Sequence, residues 1–211
     1  MQSASFKKLA FAAALCAAGA GSAQAANTAH GKLWHVPEAV TLSAVPANVP
    51  LTAADVEFDV LSPFNFSGTN TTVGNWLGSS SAFNIAEATA GTLASLMDDG
   101  TVGTLPEFQG QVTVTNGMQF TVTHDDGLTL IIGGIDLGFS PGPTGPVQST
   151  ATYTGPSGTF AFQLVYAECC GGPAVLQVDL PFVAGVPEPE TYALMFGGLG
   201  LVAFMARRRR A

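Results

Sequence analysis

Several short segments of the chain alternate hydrophobic and polar residues, which is typical of β-strands with one buried face. Residues 56–61 alternate in this way, and so do residues 112–115 and 118–123. The last two segments flank Asn116-Gly117, a dipeptide that favours the tight turn of a two-stranded hairpin. We therefore predict a strand at residues 56–61 and a β-hairpin centred on Asn116-Gly117.

Further strand-like segments follow in the second half of the chain, and glycine- and proline-rich turns separate them. They are residues 128–132, 135–139, 148–154, 160–166 and 176–180. Residues 141–146 contain three prolines and are predicted to form a loop, because proline cannot donate to a strand ladder. For residues 62–81 we predict a turn-rich loop, and for residues 84–97 a short helix or irregular element. The pattern as a whole predicts an all-β fold, an antiparallel β-sandwich.

The start of the chain has the pattern of an export signal. A pair of lysines is followed by an apolar segment over residues 9–20, and small residues at Ala23 and Ala25 provide a cleavage site. This order is that of a secretory signal peptide. We therefore predict a signal peptide over residues 1–25 and a mature chain that begins at Ala26.

The end of the chain, residues 186–211, has three parts in a fixed order. Pro187-Glu188-Pro189 comes first, and the uncharged residues 192–206 follow. The third part is the cluster Arg207, Arg208, Arg209 and Arg210. As a helix the uncharged part would reach about 22 Å, which is short for a bilayer span of ~20 residues. Because arginines favour the cytoplasmic side, the chain before Pro187 would lie outside that membrane.

This tripartite end resembles the PEP-CTERM sorting signal of Gram-negative bacteria. The resemblance rests on Pro187-Glu188-Pro189, on the glycine-containing apolar segment and on the terminal arginine cluster. It implies processing near Pro187-Glu188-Pro189 by an exosortase, a membrane-embedded cysteine transpeptidase. The precursor would then lie transiently in the inner membrane facing the periplasm, and the mature form would reach the cell surface or extracellular matrix. An ordinary single-pass anchor with a stop-transfer cluster is the alternative.

The predicted mature chain is strongly acidic. Between residues 26 and 186, Lys32 is the one Lys or Arg, against thirteen acidic residues. The resulting formal charge of −12 repels nucleic acid and anionic lipid, so neither is an expected partner. The carboxylates suit hard cations such as Ca²⁺, or they serve solubility alone. We divide this part of the chain into an extended lead-in over residues 26–53 and a β-sandwich body over residues 54–183.

The run Asp125-Asp126-Gly127 separates two predicted strands. Together with residues 158–168 and 174–178, it resembles the strand–Asp-Asp-Gly–strand element of the protective-antigen-type, lectin-like β-sandwich. That carbohydrate-binding domain is found in yeast flocculins, bacterial adhesins and glycosidase accessory modules. The resemblance implies that Asp125 and Asp126 straddle a cis peptide bond and hold one Ca²⁺, which coordinates sugar hydroxyls. The alternative is a simple β-turn in which an Asp side chain accepts backbone N–H bonds.

In that family a later loop supplies the remaining calcium ligands, often Asn or Asp. Here the corresponding loop offers Glu168 and the pair Cys169-Cys170 but no Asn. We take Glu168, Cys169 and Cys170 as candidate ligand-binding residues. Cysteines of exported domains usually form disulfides, and adjacent cysteines can bridge each other, bridge two chains or stay free. We predict the vicinal disulfide, which would give a rigid platform beside the site.

Enzyme signatures are missing from the sequence. It contains no G-x-S-x-G, H-E-x-x-H, P-loop or dinucleotide-binding motif, and its three histidines form no spaced cluster. We therefore predict no catalytic residue. The function implied by the two resemblances is an exported, exosortase-processed surface or matrix protein that binds carbohydrate, linked to exopolysaccharide and biofilm. The alternatives are a structural matrix protein without a ligand site and a glycosidase, although no carboxylate pair stands out.

Overall fold

Residues 28–183 are described by the structure, a computed structural model of the chain. The predicted signal peptide, with its cleavage residues Ala23, Ala25 and Ala26, lies outside the described residues. So does the predicted sorting signal over residues 186–211, with Pro187, Glu188, Pro189, the short hydrophobic helix, Arg207, Arg208, Arg209 and Arg210. Within the part that the structure describes, no helix has the length and apolar character needed to cross a bilayer.

Short strands form most of the regular structure, and all their pairings are antiparallel. Within residues 28–183 the strands are β1 (Thr28–Pro37), β2 (Val56–Leu61), β3 (Phe64–Thr69), β4 (Ala82–Glu87), β5 (Val102–Val114), β6 (Gln119–Asp125), β7 (Leu128–Ile132), β8 (Ile135–Asp136), β9 (Val147–Thr152), β10 (Gly158–Tyr166) and β11 (Pro173–Val178). The connections contain two short helices, α1 (Glu38–Thr41) and α2 (Val73–Gly78), and 3₁₀ turns at Pro46–Asn48 and Thr92–Ala94.

Two sheets pack against each other and enclose the main core. The larger sheet has the strand order β4-β2-β1-β5-β10-β7-β8, and the smaller sheet has the order β3-β11-β6-β9. Across the core, the ring of Phe108 in β5 lies 4.9 Å from that of Phe64 and 6.0 Å from that of Phe66, both in β3. The prediction of an antiparallel β-sandwich is therefore confirmed.

The turn at Asn116-Gly117 exists, but the predicted hairpin is wrong. β5 pairs with β1 and β10 in the larger sheet, whereas β6 pairs with β11 and β9 in the smaller sheet. The turn therefore carries the chain from one sheet to the other. Val112 of β5 and Val122 of β6 are both buried in the core. Alternation predicts the buried face of each strand, but it does not distinguish two strands of one sheet from two strands of facing sheets.

The predicted lead-in over residues 26–53 is part of the sandwich, and the predicted boundary at residue 54 is wrong. β1 lies between β2 and β5 near the middle of the larger sheet. Its inward residue Leu33 joins the main core, while Trp34 on its other face joins a second cluster beneath residues 38–53. From Leu33 onward, burial on both faces removes the alternation that marks a half-exposed strand.

Residues 62–97 contain more regular structure than their sequence predicts. β3 and α2 replace the predicted loop, and most of β4 lies where a short helix or irregular element was predicted. α2 has six residues, with Thr72 Oγ1 accepting a hydrogen bond from Asn75 N at its start, so it is too short to show a helical period. β4 has mostly exposed side chains and therefore no apolar alternation. Trp76 of α2 is a fully buried core residue.

Candidate ligand site at Asp125 and Asp126

Asp125 ends β6, and β7 begins three residues later at Leu128. Because β6 and β7 belong to different sheets, Asp125 and Asp126 lie where the chain crosses between them. The peptide bond that joins the two aspartates is cis, as the resemblance implied. Both residues are buried, with 4% of the surface of each residue exposed. The two carboxylates therefore sit at a fixed position on the edge of the sandwich.

Gly127 allows a neighbouring loop to approach the aspartates closely. A Cβ atom at this position would clash with the backbone carbonyl of Pro141. Leu128 N donates to Ser140 O at 2.9 Å, which holds the start of the loop against β7. Residues 141–146 form the loop that their prolines predicted, and this loop makes one wall of the site.

The carboxylate of Asp126 connects the two walls of the site. Its Oδ1 accepts a hydrogen bond from Thr144 N at 3.0 Å, and its Oδ2 accepts one from Cys169 N at 2.8 Å. Behind it, His124 Nδ1 lies 2.6 Å from the Asp126 carbonyl oxygen, and His124 Nε2 lies 3.3 Å from Ser149 Oγ. Asp126 is therefore held through both its backbone and its side chain.

Tyr166 and Glu168 support the backbone of Asp125 from inside the core. The Tyr166 hydroxyl contacts both the Asp125 carbonyl oxygen and Glu168 Oε2, the latter at 2.5 Å. A phenol has one hydrogen and can donate it to one of them only. Burial raises the pKa of Glu168 to about 9, so this carboxyl group is protonated at neutral pH. Glu168 therefore donates to Tyr166, and Tyr166 donates to the Asp125 carbonyl oxygen.

The electrostatics of the pair favour a bound cation. Burial, the neighbouring Asp126 charge and a hydrogen bond with Asp126 raise the pKa of Asp125 to about 6. Above this pH the Asp125 carboxylate is mostly ionised beside Asp126 and is poorly solvated. A divalent cation between them would offset both the repulsion and the lost solvation.

Residues 168–173 form the second wall, and carboxylates from distant segments hold this loop in place. Cys170 N donates to Glu38 Oε1 at 3.2 Å, and Gly171 N donates to Asp98 Oδ2 at 2.8 Å. The φ angles of Cys170, Gly171 and Gly172 are 66°, 72° and 121°, so the backbone turns tightly in front of the aspartates. Two adjacent glycines permit this path, since both adopt positive φ without steric cost.

Cys169 and Cys170 are free thiols in the structure, so it does not contain the predicted vicinal disulfide. Cys169 is buried and Cys170 is exposed, and the two side chains therefore occupy different environments. Burial, with contributions from Cys170 and Asp126, raises the pKa of Cys169 far above its usual range. Cys169 contributes its backbone N–H, which donates to Asp126 Oδ2. Cys170 lines the cavity in front of the two aspartates.

A cavity of about 380 Å³ lies between the two walls, with Asp125 and Asp126 in its lining. This volume falls within the range of small-ligand sites. Glu168 does not line it. Together with Asp98 and Asn70, Glu168 lines a separate cavity of about 10 Å³, which is the size of one water molecule. Of the predicted ligand-binding residues, Asp125, Asp126 and Cys170 face the same cavity, whereas Glu168 and Cys169 lie behind it.

The donor atoms at the site fit an oxygen-ligated cation that accepts backbone ligands. Among residues 28–183, no group of three or more His, Cys, Asp and Glu side chains could hold a metal ion by itself. Ca²⁺ takes about six to eight oxygens and accepts backbone carbonyls and hydroxyls. Asp125 and Asp126 would supply carboxylates, and residues 143–146 and 170–173, which line the same cavity, would supply any backbone carbonyls. This set fits Ca²⁺ and does not fit zinc, which takes nitrogen and sulfur ligands.

Tyr166, Thr144 and His124 position the site, and their sequence pattern did not predict this role. Thr144 and His124 act through single contacts that no motif marks. A signal for Tyr166 was present, because Tyr166 and Glu168 lie two residues apart at the end of a strand and so face the same side. Buried polar groups require hydrogen-bond partners, so this pair predicts a buried polar contact, although the sequence does not say with which residue.

Comparison with known proteins shows what the C-terminal segment is. Residues 185–210 match the PEP-CTERM protein-sorting motif. The chain carries a PEP-CTERM sorting signal. This signal implies export and processing by an exosortase at the membrane. The prediction made from Pro187-Glu188-Pro189 and the arginine cluster is thereby confirmed.

Two solved structures share the fold of the body. One is the PA14 domain of the MpAFP antifreeze protein, with 20% identity, a TM-score of 0.51, and 75% of this chain and 84% of that chain covered. The other is the PA14 sugar-binding domain from an RTX adhesin, with 22% identity, a TM-score of 0.51, and 76% and 93% covered. The body therefore has the PA14 fold, the protective-antigen-type sandwich. No curated protein sequence matches the chain.

Proposed function

We propose that this protein is an exosortase-processed surface or matrix protein whose sandwich binds carbohydrate through a Ca²⁺ held by Asp125 and Asp126. The observation that carries the proposal is the pair of buried carboxylates at an open cavity of about 380 Å³. A PA14 domain from an RTX adhesin that shares the fold is a sugar-binding domain, which supports the same use here.

The residues around the pair are arranged to keep it ready for a ligand. Thr144 N and Cys169 N each take one lone pair of the Asp126 carboxylate oxygens, so further lone pairs remain for a cation. Tyr166 fixes the Asp125 backbone, and the two walls leave one side open to solvent. Calcium would supply coordination positions that vicinal sugar hydroxyls can fill.

Export of the protein makes glycans outside the cell the expected ligands of this site. The sorting signal implies export and exosortase processing, and exopolysaccharide is a hydroxyl-rich polymer that an exported domain would meet. We propose that the domain attaches the protein to such polysaccharide and contributes to adhesion in a biofilm. A protein that serves only as structural matrix would need neither the open cavity nor the paired carboxylates.

A glycan array tests the proposal with the exported protein purified from cells that make the full precursor. We expect binding to neutral glycans with calcium present, loss of that binding in EDTA, and loss in Asp125→Asn and Asp126→Asn. The matched control is Asp179→Asn, since Asp179 is an exposed aspartate bonded to Ser62 Oγ on another part of the sandwich. Equal binding by the wild type and Asp126→Asn would contradict the proposal, and absence of any glycan signal would favour the structural-matrix alternative.

A further inference from the structure

The outer face of the larger sheet, which points away from the core, carries a row of polar side chains across neighbouring strands. Lys32 of β1 is in register with Glu107 of β5, and Gln109 of β5 is in register with Gln163 of β10. Their sequence neighbours Phe108 and Leu164 point into the core. Since side chains alternate along a strand, these four polar residues lie together on the opposite face.

Glu107 is the centre of a hydrogen-bonded network on this face. It is 5% exposed, and its Oε1 accepts hydrogen bonds from Gln109 Nε2 at 2.9 Å and from Gln163 Nε2 at 2.5 Å. Lys32, beside it, is the one Lys or Arg among residues 28–183 and makes no ion pair within the part that the structure describes. A buried carboxylate ordered by two amides is unusual on a solvent face, because it has lost hydration that a bare surface position would keep.

This network forms the floor of an open groove. Two adjoining cavities, of about 290 Å³ and 540 Å³, share Gln163 in their linings. The smaller contains Lys32 and Glu107 and is bounded by Leu51, whose side chain is fully exposed. The larger contains Gln109, Gln111 and the apolar residue Ile131. The groove therefore combines paired donors and acceptors with apolar surface, as ligand sites do.

The wall beside the smaller cavity is fixed in position. Trp34 lies under residues 46–52 and donates from Nε1 to the carbonyl oxygens of Thr52 and Ala53, at 3.2 and 3.1 Å. Asn48 donates from Nδ2 to Ser43 O at 2.8 Å within the same segment. The groove is therefore preformed, which lowers the entropy cost of binding.

We propose that this groove is a second binding site for an uncharged polysaccharide, separate from the aspartate site and independent of calcium. The formal charge of −12 between residues 26 and 186 repels polyanions, which excludes acidic polysaccharides and is compatible with neutral ones. Carboxamides, one carboxylate and one ammonium can donate to and accept from sugar hydroxyls. Ile131 and Leu51 can pack against the apolar faces of the sugar rings.

A second site would allow one domain to bind polysaccharide at two places. The lining of the groove shares no residue with the cavity at Asp125 and Asp126. Two sites on one rigid sandwich can hold two polysaccharide strands, or two stretches of one strand, and so raise the overall affinity through effective concentration. The proposal does not depend on the calcium site, and the two can fail separately.

Affinity electrophoresis tests the groove in native gels that contain galactomannan, mixed-linkage glucan or dextran, with EDTA present throughout. The exported, processed protein should be retarded by at least one of these neutral polysaccharides. Gln163→Ala should weaken this retardation at least about tenfold, since Gln163 lines both cavities and orders Glu107. Ala161→Trp, at an exposed position of the groove, should abolish it by filling the larger cavity while leaving every residue of the Glu107 network in the chain.

The controls separate this site from the calcium site. Asp126→Asn should be retarded as the wild type is in EDTA, and so should Gln177→Ala, on the outer face of the smaller sheet. Circular dichroism and thermal unfolding check that each variant is folded, and Ala161→Trp decides the question if Gln163→Ala is destabilised. The proposal is overturned if no neutral polysaccharide retards the wild type in EDTA, or if Ala161→Trp binds as the wild type does.

Discussion

Glu168 should give the stability of this protein a pronounced dependence on alkaline pH. Burial raises the pKa of Glu168 from 4.5 to about 9 in the folded protein. Between these values the folded state holds a proton that the unfolded state has released. The contribution of Glu168 to stability is therefore fully present below pH 4.5 and is lost as the pH rises toward 9.

The size of the effect follows from this one-proton difference. It amounts to about 1.4 kcal/mol per pH unit, so the wild type should lose about 2 kcal/mol between about pH 7 and about pH 8.5. That is a large fraction of a typical unfolding free energy of roughly 5–15 kcal/mol. Glu168→Gln keeps an N–H donor toward the Tyr166 hydroxyl and has no proton to lose. Its stability should change by less than about 0.5 kcal/mol over the same interval.

Urea unfolding at these two pH values, in EDTA and a thiol reductant, measures the difference. The interval lies above the pKa of Asp125, which is about 6, and above the pKa of His35, which burial lowers from 6.5. Both groups therefore contribute little there. Glu57→Gln, at an exposed glutamate, serves as the matched control and should follow the wild type. The reasoning is refuted if Glu168→Gln loses as much stability as the wild type does.

Three further changes test other parts of the account. Gly127→Ala places a Cβ against the Pro141 carbonyl, so it should displace the loop and reduce calcium-dependent glycan binding at least about tenfold by titration, while Gly145→Ala, in open space, should not. Trp76→Ala removes a fully buried ring stacked on Phe66 and should cost about 3–5 kcal/mol in urea unfolding. Replacing Pro187-Glu188-Pro189 by alanines should leave uncut precursor in the inner membrane on immunoblots of fractionated cells, and unchanged release of a processed product would contradict this.

The sequence predicted strands best where one face of the strand is buried and the other is exposed to solvent. β2 and β10 appear where the spacing of their apolar residues predicted them, because each carries apolar residues at every second position. The run Asp125-Asp126-Gly127 was equally clear, since two charged residues and a glycine interrupt two apolar strands. The positions of these strands and the location of the candidate site were therefore predictable.

Sheet membership and the support of the site were not predictable from local pattern. β1 is buried on both faces from Leu33 to Val36 and β4 is largely exposed, so neither alternates along its whole length. β6 pairs with β11, more than forty residues away, and with β9, and no local signal distinguishes these partners from β5. Glu168 carries an acidic side chain that suggests a calcium ligand, yet its burial against Tyr166 makes it a neutral donor. Such outcomes depend on tertiary contacts that short-range spacing does not encode.

Calorimetric titration of Ca²⁺ into the exported, processed protein tests the central claim most directly. We expect one ion to bind per chain, with binding lost in both Asp125→Asn and Asp126→Asn and retained in Asp179→Asn. Failure of the folded wild type to bind calcium, or equal binding by Asp126→Asn, would contradict the assignment of the paired aspartates as the ligand site.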